Sequence, residues 1–321
     1  MLKLYRHITS TTGSIGAAVA VSKLLSLSAS QTAHAIGIAA TQVTGLREMF
    51  GSHTKSFHPG RAAQSGLVAA VLAQGGYTSS QEALEAKRGW ANVVGVTKEG
   101  IGQSLERWLG LGLKGQEHGV GLATTNGLGR WEVLRNSFKP YPCGIVIHPV
   151  IDGCSQLHSQ ITEFGLHSQN IKAIKIKVHP LVLELTGKRF PKDGLEGKFS
   201  VFHGAAIGLL FGKATPSEYE DHVVQNARVI AIRDKVDAEA DGSLVADEAV
   251  IWVTLDDGRV LEKHVRHAVG SLEVPMSDAM LRQKFEDQCG TVLGADQTKA
   301  ASEAIRKIES VGDVADLSHL L

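Results

Sequence analysis

Four stretches of this sequence join histidine or lysine to turn-forming residues, and each could do chemistry. In the first, His7 precedes Thr9, Thr11, Thr12 and Gly13. Hydroxyls and backbone amides at a helix start suit an anion, although a capped helix with a surface histidine has the same residues. The second runs Ser52-His53-Thr54-Lys55-Ser56-Phe57-His58-Pro59-Gly60-Arg61. Its cations gather where a helix begins, a place that favours a carboxylate; a solvated basic loop is the plainer alternative. His53 and His58 lack an acidic or thiolate third ligand nearby, so a metal is not expected there.

The third stretch, Lys139-Pro140-Tyr141-Pro142-Cys143 through His148-Pro149, fixes a lysine and a histidine with proline-restricted backbone. A rigid domain junction would read the same way. The fourth centres on His203, among small residues in Lys198–Ala205, where a satisfied core histidine is the ordinary outcome. His264 and His267 lie three apart on an expected strand, hence on opposite faces, and read as structural. No phosphate loop, nucleophile elbow or HExxH pattern is present. What remains is rich in cations and poor in thiols. That suits proton transfer on a polycarboxylate, with cations holding the carboxylates and one histidine or lysine moving a proton.

The elements that must position these groups change in texture along the chain. Residues 1–135 read as helical. The expected helices are Ser14–Leu27, a second one opened by the capping box Ser28–Gln31, and Arg61–Ala73 after a His58-Pro59-Gly60 turn. Shorter helices are expected over Thr78–Lys87 and Gln103–Leu109, and a glycine-rich loop over 115–130. Residues 136–270 read as α+β. A helix starts at Pro149, strands are expected at Ile171–Val178, Val229–Val236 and Val250–Leu255, and Asp257-Gly258 turns into Val260–Val265. Lys198–Leu210 reads as a helix. Residues 271–321 turn helical again, with one helix from Ser277 to Gly290 and an amphipathic one over Ala300–Ile308.

Composition narrows the function classes. Lysine plus arginine equal aspartate plus glutamate at 33 each, which argues against a nucleic-acid-binding protein. Cys143, Cys154 and Cys289 have neither the pairing of a disulfide framework nor the clustering of an iron–sulfur site. No apolar run is long enough to span a bilayer, so no membrane partner is expected. The stretch before Glu48 has no acid and resembles a mitochondrial transit peptide in composition. Its helix signals make it read as part of the fold, and the expected location is cytoplasmic or mitochondrial.

The run from His7 to Gly13, Gly45–Lys55 with His58–Ala63, Lys139–Cys143 with His148-Pro149, and Glu196–Ser200 resemble the MmgE/PrpD family. That family holds 2-methylcitrate and alkylcitrate dehydratases and cis-aconitate decarboxylases. Asp257-Gly258-Arg259 and Pro275–Phe285 fit as well. The resemblance implies an α+β protein with a large helical domain and a smaller α+β lid domain, the last helices returning to the helical one. It implies catalytic residues His7, Lys55, His58, Lys139 and His148, and substrate contacts from Thr9, Arg61 and His203. At His203 related decarboxylases carry a tyrosine, a departure. It further implies a tricarboxylate substrate, no metal or other cofactor, and a homodimer formed through the helical domain. Dehydration of a 2-methylcitrate- or alkylcitrate-like acid is the leading expectation and decarboxylation of cis-aconitate the alternative. Family members carry a helical segment ahead of the His7 motif, so a truncated, non-catalytic homologue is a third.

Overall fold

The computed structural model describes residues 6–95, 136–313, 315–318 and 320. The expected helix at Gln103–Leu109 and the loop at 115–130 lie outside them. The chain divides into two compact units, residues 1–134 and 135–321.

In the first unit, helices α1 (Ile8–Leu24), α2 (Ala29–Ala40) and α3 (His53–Gln74) pack on one another. Their core is built from small side chains: Ala18, Ala35, Ala39, Ala69, Ala70 and Ala73 are all buried. Gly66 shows why. A Cβ added there would stand 2.4 Å from Ala17 Cβ and 2.6 Å from the Ala18 nitrogen, so α1 and α3 touch backbone to backbone. This close packing suits a chain with few aromatics. The capping box forms as expected, with Ser28 Oγ accepting from the Gln31 amide and Gln31 Oε1 accepting from Ser28.

Helix boundaries depart from expectation in three places. Helix α1 begins at Ile8 rather than Ser14, and α3 begins at His53 rather than Arg61, with Pro59 inside it. The His58-Pro59-Gly60 segment is therefore helix and not a turn, because the packed α1–α3 interface outweighs the local cost of a proline. Thr78–Lys87 forms turns. There the Ser79 amide and hydroxyl are drawn to His34 Nδ1 and the His34 carbonyl of α2, and among the described residues the next helix along the chain is the short α4 (Trp90–Val94).

The second unit opens with α5 (His148–Glu163), whose Pro149 sits in the first turn as expected. Strand β1 (Ile171–Val178), helices α6 (Pro180–Thr186), α7 (Gly194–Gly197), α8 (Val201–Phe211), α9 (Asp221–Val224) and α10 (Ala227–Arg233) follow. Then come β2 (Val236–Ala240), β3 (Ala249–Leu255) and β4 (Val260–Val265). The four strands form one mixed sheet ordered β2-β1-β3-β4, with β1 parallel to β2 and the other pairs antiparallel. Alternation sets its two faces: Ile174, Ile176 and Val178 point into the core, while Lys175 reaches Glu239 at 2.9 Å on the solvent face.

Helices α5 and α8 cover the sheet's apolar side and cross closely. Cβ atoms at Gly204 and Gly208 would lie 2.7 Å from Ile147 Cγ2 and 2.8 Å from Cys154 Cβ. Several expectations change in this unit. Val229–Val236 is mostly helix α10 rather than strand, because Asn226 Oδ1 caps its start by accepting from the Arg228 amide. The single helix expected over Lys198–Leu210 starts instead at Val201, where Ser200 Oγ caps it through the His203 amide. The chain ends in α11 (Asp278–Leu293), α12 (Ala295–Arg306) and α13 (Ala315–Ser318). Ser277 caps α11 as expected, but the helix continues through Gly290 to Leu293.

Candidate functional site

In the first unit the end of one helix meets the side of another. His7 is the residue before α1, and its carbonyl accepts from the Thr11 amide and the Thr11 hydroxyl. Its own amide donates to the Gly45 carbonyl. Gly45 has φ +105°, and a Cβ there would stand 2.4 Å from Ser10 Oγ, so only glycine lets this loop close on the start of α1. With its backbone held at both ends, the His7 ring turns toward α3. Its Nδ1 lies 2.9 Å from Nδ1 of buried His58, and the ring centroids are 5.1 Å apart. Phe50 packs edge-on against His7 at 5.3 Å.

Two imidazole nitrogens at that distance share one proton. One Nδ1 donates and the other accepts, so the acceptor ring carries its own proton on Nε2. His7 is held down to about 4, by burial first and then by the charges of Lys55, His58 and Arg47. It is therefore neutral near pH 7 and able to take a proton. Lys55 and His58 lie three residues apart on one face of α3, so the same face supplies the histidine and the cation that lowers its partner's pKa. The site is thus a proton-sharing pair in positive surroundings.

The structure brings His7 and His58 into contact and sets the charge of Lys55 close enough to act on His7. Thr9 and Arg61 are exposed, and Arg61 Nη1 donates to Gln64 Oε1 at 2.8 Å along its own helix. The loop residues Gly45, Arg47 and Phe50 were not singled out in the sequence, although they lie within the run Gly45–Lys55. A glycine two residues before an arginine in that run is the one trace of them.

Lys139, His148 and His203 belong to the second unit. Lys139 Nζ donates to the Cys143 carbonyl at 3.0 Å. His148 opens α5, is buried, and meets the Tyr141 ring edge-on at 5.2 Å. Its Nε2 has no hydrogen-bond partner, and its pKa is held down to about 3 by burial and then by Lys139. His203 is fully buried, with Nε2 on the Glu218 carbonyl at 3.0 Å and the Tyr219 ring at 5.4 Å; burial holds its pKa down to about 4. That is the environment of a core histidine. Burial pushes the Cys143 thiol up to about 12, which makes it a poor nucleophile. His264 and His267 are engaged by acids, at 2.7 Å to Glu248 and 2.8 Å to Asp247. His267 lies past the end of β4, so the two do not share a strand as expected. No described helix is long and apolar enough to cross a membrane.

Two family models match the chain. The MmgE/PrpD C-terminal domain matches residues 141–310 and the MmgE/PrpD N-terminal domain matches residues 2–100. A cis-aconitate decarboxylase-like protein of Aspergillus oryzae is 25% identical over 320 residues, covering 96% of this chain and 63% of that protein. Human cis-aconitate decarboxylase is 23% identical over 321 residues, covering 98% of this chain and 62% of its own length. A 2-methylcitrate dehydratase of Cupriavidus necator is 27% identical over 133 residues, 38% of this chain and 28% of that protein. The chain thus spans under two thirds of the length of these relatives.

Proposed function

Because the chain belongs to the MmgE/PrpD family, we propose that it carries out lyase chemistry on a tricarboxylate, with His7 and His58 handling the proton. The observation that carries this reading is the Nδ1–Nδ1 pair at 2.9 Å, set beside Lys55. A polycarboxylate brings negative charge that Lys55 and Arg47 offset, and the neutral His7 ring accepts or returns a proton next to it. Lys139 and His148 enter this reading through the resemblance of their motif to the family's.

Decarboxylation of a cis-aconitate-type acid is the leading version. Relatives named for that reaction align along nearly the whole chain, whereas those named dehydratases align over about a third of it. In this version the bond to one carboxylate carbon breaks, carbon dioxide leaves, and the electron pair spreads through the adjacent double bond toward a remaining carboxylate. The histidine pair then relays a proton to one end of that allylic system and is replenished from solvent. The second version is dehydration, in which the neutral ring removes a proton next to a carboxylate and the hydroxyl leaves with a proton as water. Product analysis after incubation with cis-aconitate and with 2-methylcitrate separates them. Carbon dioxide and a five-carbon unsaturated diacid mark the first, and a new alkene without carbon dioxide marks the second.

A homodimer through the helical unit is part of the proposal. Leu67, Val68, Val71 and Leu72 of α3 are each at least 39% exposed, an apolar strip that a second copy would cover.

A further inference from the structure

Away from the paired histidines, three chain segments of the second unit bring an imidazole and two carboxylates to one point. Asp247 comes from the turn before β3, His267 from just past the end of β4, and Glu273 from the bend that follows. His267 Nδ1 lies 2.8 Å from Asp247 Oδ2 and 3.9 Å from Glu273 Oε2, and one ligand atom from each residue falls within 4.8 Å of the others. In a tetrahedral zinc site with bonds of about 2.0–2.1 Å, ligand atoms stand roughly 3.3 Å apart. The two distances from His267 Nδ1, 2.8 Å and 3.9 Å, lie on either side of that value. Asp247 and His267 are half-buried and Glu273 is exposed, so the carboxylate that must move furthest from His267 is on the freest side chain.

The surroundings hold two of the ligands in place. Glu248 Oε2 accepts from the Val245 amide, and Asp241 Oδ1 accepts from the Ser243 amide, so the turn bearing Asp247 is braced internally. On the other side, the Val269 amide donates to Asp152 Oδ2, and the Phe138 amide donates to the Gly270 carbonyl. Gly270 itself has φ +92°, and a Cβ there would stand 2.0 Å from the Phe138 carbonyl oxygen. Glu248 is engaged with His264 at 2.7 Å, which leaves solvent to supply the fourth ligand.

We infer that Asp247, His267 and Glu273 form a binding site for one borderline divalent cation of the zinc class. Imidazole with two carboxylates favours such an ion over calcium or magnesium, which prefer oxygen-only shells. Its consequence is mechanical. The segment it would tie down is bonded to the residue before Lys139 and to Asp152, one helical turn beyond His148, so the ion would stiffen the corner that carries both.

The test uses the purified protein, with Zn2+ titrated by calorimetry and Co2+ followed by its visible absorption. His267→Ala and Asp247→Asn are made alongside, both at partly exposed positions where folding is retained. The expected result is one Zn2+ bound per chain at this site, with a Co2+ spectrum of low coordination number. Affinity should weaken by roughly tenfold or more in either variant, and hydrogen exchange across 266–275 should slow on Zn2+ addition in the wild type alone. Unchanged Zn2+ affinity and exchange protection in both variants would overturn the inference, as would absence of binding by the wild type. Neither readout depends on turnover, so failure here is distinguishable from failure of the lyase reading.

Discussion

The Nδ1 atoms of His7 and His58, 51 residues apart in sequence, stand 2.9 Å apart, so one N–H proton bridges the two rings. Replacing either ring by glutamine removes that arrangement while keeping a polar side chain. His7→Gln and His58→Gln are each expected to lower kcat by about 10²–10⁴-fold, the range for loss of a general acid or base. The far-ultraviolet circular dichroism should stay unchanged. Steady-state kinetics on the accepted acid checks this.

Lys55 is the largest charge acting on His7 after burial itself. Lys55→Gln should therefore raise the His7 pKa from about 4 part of the way toward its ordinary value, since burial remains. Titration of the His7 ring by NMR reads it. An unmoved pKa would show that Lys55 does not act on this ring.

Pro59 lies inside α3, between the positions that carry His58 and Arg61, and has no amide proton to give to the Lys55 carbonyl. Pro59→Ala should stabilise the protein by about 1–3 kcal/mol and raise Tm. It should also lower kcat, because restoring a hydrogen bond to the Lys55 carbonyl shifts the helical turn that carries Lys55 and His58. Thermal melts and kinetics measured on the same preparation test both halves.

His148 and His203 are buried with pKa values held down to about 3 and about 4. In the unfolded chain both take up protons near pH 6.5, so the unfolded state binds more protons below that pH. Stability should be flat above about pH 7. It should fall from about pH 6.5 down to about 4, where His203 begins to protonate in the folded state, and more gently to about 3. Urea midpoints from pH 7.5 to 3.5 measure the fall, and a midpoint independent of pH would contradict the burial argument.

The legible parts of this fold were those fixed by neighbours in sequence. Ser28 and Gln31 cap α2 three residues apart, and Ile174, Ile176 and Val178 alternate on β1, so both elements could be read directly. Elements fixed by distant contacts were not. Pro59 argues for a turn by every local rule, whereas α3, packed on α1 and α2 along its length, runs continuously through it. The branched residues of Val229–Val236 suggest a strand until the Asn226 cap is weighed. Strand β2 hides its register behind Asp237 and Glu239, whose place is set by β1. The same holds for the site. Lys55 and His58 share a helix face that spacing suggests, whereas the meeting of His7 with His58 depends on Gly45 and on the packing of α1 against α3.

The most direct measurement of the central claim follows turnover of cis-aconitate and of 2-methylcitrate by NMR in deuterium oxide. The wild type, His7→Gln and His58→Gln are compared side by side. The account predicts turnover of one of these acids by the wild type. If the reaction is decarboxylation, one deuterium enters a carbon of the five-carbon product, and both variants are at least about 100-fold slower. Turnover of neither acid would contradict it, and so would variants that match the wild-type rate.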